Sequence, residues 1–390
     1  MAKVFAKRRM TTAAMGRFGF VVAAASVWFG FSAIAAACPF CSAIEPSWSE
    51  RREAAEIVAL AEPSSDAAGR FELRQVWKGA DRLAGRRTID LPKEVAIARG
   101  LALLSAAARP GADEGAAVEA LDWRAVPVDE ASLAYFARVP AERGGAAARL
   151  AFCGGYLEHH DSAVAEDAYR EFGRADFDQV ATAAAGVPSA KLRQWIDDSS
   201  VPDQRKGLYG MLLGLAADER ETNLRFLRER VERPASDFRA GFDGLVGGYL
   251  LAGGEPALAD LERLFLTNAD SASGDVRHVM TALRFYAEYG RAIPHERIAA
   301  AMRSLVDREE CAAAAIVDLA RWSDWSVVDR VAALFERLDD RDPAIDRAVV
   351  GYLTHCPRAE AAAALERLRA NHAKRVAAAE AHPLNAGPRQ

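Results

Sequence analysis

Two hydrophobic periods divide the chain. From Asp129 onward, apolar residues return at the three-to-four spacing of a helix face. Leu208, Met211, Leu212 and Leu215 share one such face, and Phe238, Phe242, Leu245, Val246, Tyr249 and Leu250 another. Val276, Val279, Met280 and Leu283 make a third, and Ile345, Ala348, Val349 and Tyr352 a later one. From Glu56 to Val126 the pattern is different. Short runs at Glu56–Glu62, Arg70–Trp77, Arg87–Leu91, Arg99–Ala108 and Val118–Val126 are separated by Pro-, Gly-, Ser- and Asp-rich breaks. Phe71, Leu73 and Gln75 alternate with Glu72, Arg74 and Val76, as in a half-buried strand. Five strands in about 70 residues suit a small closed barrel. The Ala-rich 102–108 run also reads as helix.

The helical part opens with Asp129–Arg138, Ala146–Leu157, Asp161–Phe172, Phe177–Ala184 and Ala190–Asp197. Helix pairs then recur, with first members starting near Asp203, Ser236, Asp275, Glu309 and Asp342, at steps of 33, 39, 34 and 33. Periods of this size mark a helical solenoid, and their irregularity favours HEAT-like repeats. Ser236 and Asp342 are expected N-caps, with Pro256, Pro294 and Pro343 in first turns. Gly210, Gly214, Gly247 and Gly248 would let stacked helices approach closely. The expected fold class is α+β, predominantly α: a five-stranded β-barrel-like domain at 56–128 followed by a HEAT-like α-solenoid at 129–373, then a disordered tail at 374–390 containing Pro383, Gly387 and Pro388.

The N-terminus changes the charge picture. Residues 1–37 carry Lys3, Lys7, Arg8, Arg9 and Arg17, no acid, an apolar run from Phe18 to Ile34, and then Ala35-Ala36-Ala37. That is the three-part layout of a secretory signal peptide, with an uncleaved membrane anchor as the alternative. Without it, 45 basic side chains face 55 acidic ones, a formal charge of −10. So acidic a body repels phosphate backbones and anionic membrane surfaces, which argues against nucleic acid as a partner. The expected location is extracytoplasmic, periplasmic or secreted. Cleavage after Ala37 leaves Cys38 first, which makes Cys38 a lipidation candidate as well.

The chain has five cysteines. Cys38-Pro39-Phe40-Cys41, in the 38–55 segment, is the one close pair. A C-x-x-C brings two sulfurs within disulfide or metal-ligand reach. No strand survives before it to build a thioredoxin-like site, Ser42 replaces the His of a haem attachment, and no second close pair completes a zinc site. A structural disulfide, a redox pair and a metal or partner contact remain. Cys153, Cys311 and Cys356 lie in apolar helical surroundings and read as small core residues, with Cys311 and Cys356 too far apart to bridge. Glu158-His159-His160-Asp161 is dense in metal-capable groups. Neighbours on a helix diverge, however, and a polar turn is expected. Trp322 and Trp325, in Trp322-Ser323-Asp324-Trp325, are a candidate interaction patch or packing residues. No Walker loop, G-x-S-x-G, HExxH or dinucleotide fingerprint occurs, so no catalytic residue, metal or cofactor is assigned.

Two resemblances add to this reading. The N-terminal Cys pair, Ala55–Glu62 (AEIVALAE) and Phe71–Gly79 (FELRQVWKG) resemble the netrin-like, OB-like fold of tissue inhibitors of metalloproteinases, which implies a barrel and an N-terminal Cys able to clamp a protease zinc. C-x-x-C stands here where that family has C-x-C, and no Cys occurs between 42 and 152 to tie the N-terminus to the barrel. Over most of the mature length the chain also resembles a family of exported bacterial proteins of uncharacterised function. Cys38–Ala43 (CPFCSA), Gln75–Gly79, Tyr156–Phe172 and Asp318–Val328 carry that match. It implies export and the two-part layout and brings no activity. The expected function is a non-enzymatic envelope scaffold for a protein or peptide. The alternatives are a thiol redox factor using Cys38 and Cys41, or a metalloprotease-inhibitor-like protein.

Overall fold

The computed structural model describes residues 45–382, apart from 66, 93, 94, 96, 98, 110, 112–114, 116, 142–144, 234–238 and 339–341. The expected signal segment at 1–37, Cys38, Cys41, Ser236 and Phe238 therefore lie outside the described residues. Within them the fold is α+β and mostly helical.

A short helix, α1 (Trp48–Ala54), leads into β1 (Ile57–Pro63) and β2 (Arg70–Lys78). A helical turn, α2 (Ala80–Leu83), precedes β3 (Thr88–Asp90), β4 (Leu101–Ala107) and β5 (Asp122–Val128). These are the five expected strands, with ends shifted by a few residues. Every ladder is antiparallel and the order is β3-β2-β1-β4-β5. The sheet curls as a half-barrel and, among the described residues, does not close, because β3 and β5 remain its edges. Two local features explain this. Strand β3 is three residues long, and β5 carries Pro127, which has no N–H to give a partner. The Ala-rich run is strand, not helix: β4 is held between β1 and β5 and buried from Ala102 to Ala106. Pairing on both sides outweighs its helix propensity.

The sheet has two dry faces. Ile57, Ala61, Phe71, Ile89, Leu104 and Trp123 form a small core of their own. Val58, Leu60, Leu103 and Val128 join the core of the helices instead. The 128/129 boundary is thus crossed by continuous packing.

The helices follow as α3 (Glu130–Arg138), α4 (Ala146–Cys153), α5 (Ser162–Arg174), α6 (Phe177–Ala184), α7 (Ser189–Asp197), α8 (Asp203–Leu215) and α9 (Arg220–Glu232). Then come α10 (Phe242–Leu261), α11 (Ser273–Tyr289), α12 (His295–Arg303), α13 (Glu309–Arg321), α14 (Val328–Arg337), α15 (Pro343–His355), α16 (Ala359–Asn371) and α17 (Ala373–Ala381). Asp129, Asp161 and Asp342 cap α3, α5 and α15 by accepting from backbone N–H groups at 2.8 Å. Alternate helices stack: α8 on α10, α11 on α13, α13 on α15, α14 on α16, α15 on α17.

Three expectations need correction, and one part of the second pair holds. That pair starts at Phe242 rather than near Ser236. Its two members are parted at Gly254, whose non-helical backbone with φ of +59° only glycine adopts easily, so Pro256 falls in the first turn of the second member, as expected. The tail is not disordered from 374, because α17 continues to Ala381 and packs on α15. Contacts also reach beyond nearest neighbours: Phe177 of α6 stacks on Tyr289 of α11 at 4.7 Å and meets Phe285 edge-on at 5.3 Å. A strictly linear array has no such contact.

The tightest joint is α8 against α10. Gly207, Gly210 and Gly214 face Gly241, Gly244 and Gly248, and a Cβ at Gly210, Gly214, Gly244 or Gly248 would run into backbone atoms of the facing helix. Gly248→Ala should therefore destabilise the protein by about 3 kcal/mol or more, the upper end for overpacking, because backbone cannot move aside as a side chain can. Gly274→Ala, in open space within α11, should be neutral or stabilising by up to about 1 kcal/mol. Urea denaturation of both variants checks the contrast.

Candidate functional site

The chain is fastened where its described part begins. Trp48, the first residue of α1, is 1% exposed. Its indole N–H donates to the Phe136 carbonyl at 3.0 Å, and its ring meets Phe136 edge-on. Its backbone N–H donates to Asp167 Oδ1 at 2.6 Å, and the Tyr135 hydroxyl donates to Asp167 Oδ2 at 2.9 Å. One turn further along α5, Glu171 accepts from the Ser49 hydroxyl and pairs with Arg149 Nε at 2.6 Å. Arg52 reaches the Val139 carbonyl at 3.0 Å, and Lys78 of β2 donates to the carbonyls of Arg52 and Glu53 at 3.1 and 2.9 Å. Two outer pairs, Glu45–Arg170 at 3.3 Å and Glu50–Arg174 at 2.5 Å, close the joint. Helix α1 is thereby bound to the sheet and to α3 and α5 at once.

Burial sets the chemistry of this cluster. Desolvation pushes the Asp167 carboxyl up to about 6, against the bonds from Trp48 and Tyr135 that favour its charge. Desolvation also raises the Tyr135 hydroxyl far above the phenol range and pushes the Cys153 thiol, 3.6 Å from that hydroxyl, up to about 12. At neutral pH Cys153 is a protonated core residue with no nucleophilic character. The cluster is a fastening built from polar groups.

A second feature lies on α11 and α13. Arg284, Ala287, Glu288, His295, Arg321 and Trp322 surround a cleft of about 340 Å³ floored by Asp318. Asp318 is 3% exposed and takes Arg284 Nε at 2.6 Å, with Arg321 at 3.8 Å. Trp322 caps the end of α13 and meets His295 edge-on at 5.4 Å. Both expected tryptophans are half-buried and pack on the core. The structure separates their roles. Trp325 lies on Tyr352 at 5.0 Å, and the Tyr352 hydroxyl donates to the Asp324 carbonyl at 2.8 Å, so Trp325 is packing. Trp322 lines the open cleft.

The other sequence candidates fall out as follows. Cys38 and Cys41 lie outside the described residues. Cys153, Cys311 and Cys356 are buried and unbridged. In the Glu158–Asp161 turn, Asp161 caps α5, the His159 ring accepts from the Asp161 N–H at 3.2 Å, and Glu158 takes the Tyr209 hydroxyl and Arg205. It is the expected polar turn. Among the described residues, no three His, Cys, Asp or Glu are grouped to hold a metal ion. No described helix is long and apolar enough to cross a membrane. The Trp48–Asp167–Glu171 fastening was missed from sequence, although a signal existed. Asp167 and Glu171 share a stripe with Val164, Ala168 and Phe172, and acids on an apolar stripe mark a buried partner.

A pH dependence follows. Asp167 is raised from 3.8 to about 6, so between those values the folded state keeps a proton that the unfolded state has lost. Its contribution to stability is full at low pH and falls as pH rises through 6, by about 3 kcal/mol in all. Relative to Asp167→Asn, the wild type should lose about 2–3 kcal/mol between about pH 4 and about pH 7. Chemical denaturation of both proteins across that range is the check, and a pH-independent difference would contradict the assignment.

No family model, curated protein or solved structure matches the chain.

Proposed function

We propose that this protein is an exported, non-enzymatic scaffold of the cell envelope, and that its stacked helix pairs act as a HEAT-like surface for a protein or peptide partner. The observation that carries the reading is the Trp322 cleft. It places a half-exposed indole and two arginines, residue types enriched among interface hot spots, beside an exposed imidazole on neighbouring helices. The stacking of alternate helices supports it, since such arrays use extended surfaces to bind. The netrin-like inhibitor alternative draws no support from an open sheet.

A photo-crosslinking residue at His295, in cells that export the protein, should give discrete adducts. Trp322→Ala should remove them with a smaller loss of melting temperature than Trp325→Ala. Trp325→Ala should lower the melting temperature by several degrees, because it strips Tyr352 of its cover. Adducts that persist in Trp322→Ala would sink the cleft assignment. Intact mass spectrometry of the exported protein tests the export reading: a mature start at Cys38, bare or lipidated, fits it, and a retained residue 1–37 segment contradicts it.

A second reading keeps Cys38 and Cys41 as a redox pair. One observation bears on it: Glu45, four residues after Cys41 in the sequence, pairs with Arg170 at 3.3 Å. A reduction potential below about −300 mV would mark a structural disulfide and remove this reading.

A further inference from the structure

Beside the α1 fastening lies a pocket of about 380 Å³, walled by α1, β5, α3, α5 and α8. Its volume is at the small end of small-molecule sites, about 300–1,000 Å³. Three guanidinium groups line it: Arg51, Arg170 and Arg205, with side chains 16%, 19% and 11% exposed. The acids beside them are largely committed. Glu166 is shared between Arg205 at 2.9 Å and Arg170 at 3.5 Å. Asp167 gives one oxygen to the Trp48 N–H and the other to Tyr135.

Arg51 is left over. Its nearest carboxylate among the described residues is Asp167 at 3.9 Å, and its one hydrogen bond there is a long one, 3.4 Å, to the Ser47 carbonyl of its own helix. Burial holds its pKa below the arginine range; Asp167 and Glu45 work against this, and Arg170 and Arg124 add repulsion. A guanidinium this buried, with a second one beside it and no carboxylate closer than 3.9 Å among the described residues, has N–H groups that a bound carboxylate would fill. The opposite wall is apolar, with Trp48, Phe136 and Val126.

We propose that this pocket is a binding site for a small amphiphilic carboxylate. The carboxylate would take Arg51, with Arg170 and Arg205 flanking it, and the apolar body would lie toward Val126 and Phe136. The site is separate from the Trp322 cleft and does not depend on the scaffold reading. The same chemistry is offered by a free organic acid or by the C-terminus of a peptide ending in an aromatic residue.

The test is isothermal titration of the full mature protein at low ionic strength with phenylacetate, phenylacetamide, inorganic phosphate, and acetyl-Gly-Gly-Phe as free acid and as amide. Phenylacetate should bind saturably and phenylacetamide should not. Arg51→Gln should weaken binding about tenfold or more, because it removes a charge-assisted bond. Val126→Trp fills the pocket without touching a charge and should weaken binding similarly, which separates loss of the site from loss of α1 packing. Binding of the free-acid peptide, but not its amide, would support the site with a peptide terminus as its source; phenylacetate alone would support a free acid. The proposal is overturned by no saturable phenylacetate binding up to about 10 mM, a free energy near −3 kcal/mol. It is also overturned by equal affinity in Val126→Trp, or by phosphate binding as tightly as phenylacetate.

Discussion

Two carboxylates on the apolar side of α5 hold the joint on which the rest of the molecule depends. Asp167 and Glu171 are 1% and 3% exposed. A buried charge is unfavourable unless its oxygens are filled, and here the filling groups come from other parts of the chain. Trp48 and Ser49 come from α1, Tyr135 from α3 and Arg149 from α4. The demand of these oxygens for donors draws three helices to α5. Because Lys78 of β2 ends α1 from the other side, the sheet is drawn in too. One face of β1 and β4 then becomes part of the helical core.

This arrangement places the two candidate surfaces in different parts of the fold. The arginine-lined pocket is a by-product of the joint, since α1, α5 and α8 each bring one guanidinium to it. The Trp322 cleft depends on the stacking of α11 and α13. That stacking follows the same alternate-helix pattern as the glycine contact of α8 and α10, where backbone meets backbone. The contact of Phe177 with α11 adds a tie between early and late helices. Such a tie limits the independence that the units of a simple array would have.

Much of the architecture was legible because it rests on local pattern. All five strands and nearly every helix follow from period, caps and breakers, and Asp342 with Pro343 marks the start of α15 to the residue. What escaped was non-local. Barrel closure depends on whether β3 can reach β5, and neither run states that alone. The start at Phe242 was hidden because an apolar residue at 238 extends the same stripe. The candidate site was half legible. Trp322 and Trp325 look alike in sequence, and only their neighbours, His295 for one and Tyr352 for the other, tell surface from packing. The Asp167 fastening joins residues 119 apart in sequence. Its visible trace was the misfit of Asp167 and Glu171 on an apolar stripe.

The central claim is that the segment around Trp48 is an integral part of the core, held by α5. Hydrogen exchange read by mass spectrometry tests it most directly, on peptides covering residues 47–54 and, as reference, β4. The account predicts that the Trp48 segment is protected to the same degree as β4, and that Asp167→Ala releases it while β4 stays slow. Exchange of the 47–54 segment at the rate of an open chain in the wild type, with β4 protected, would contradict it.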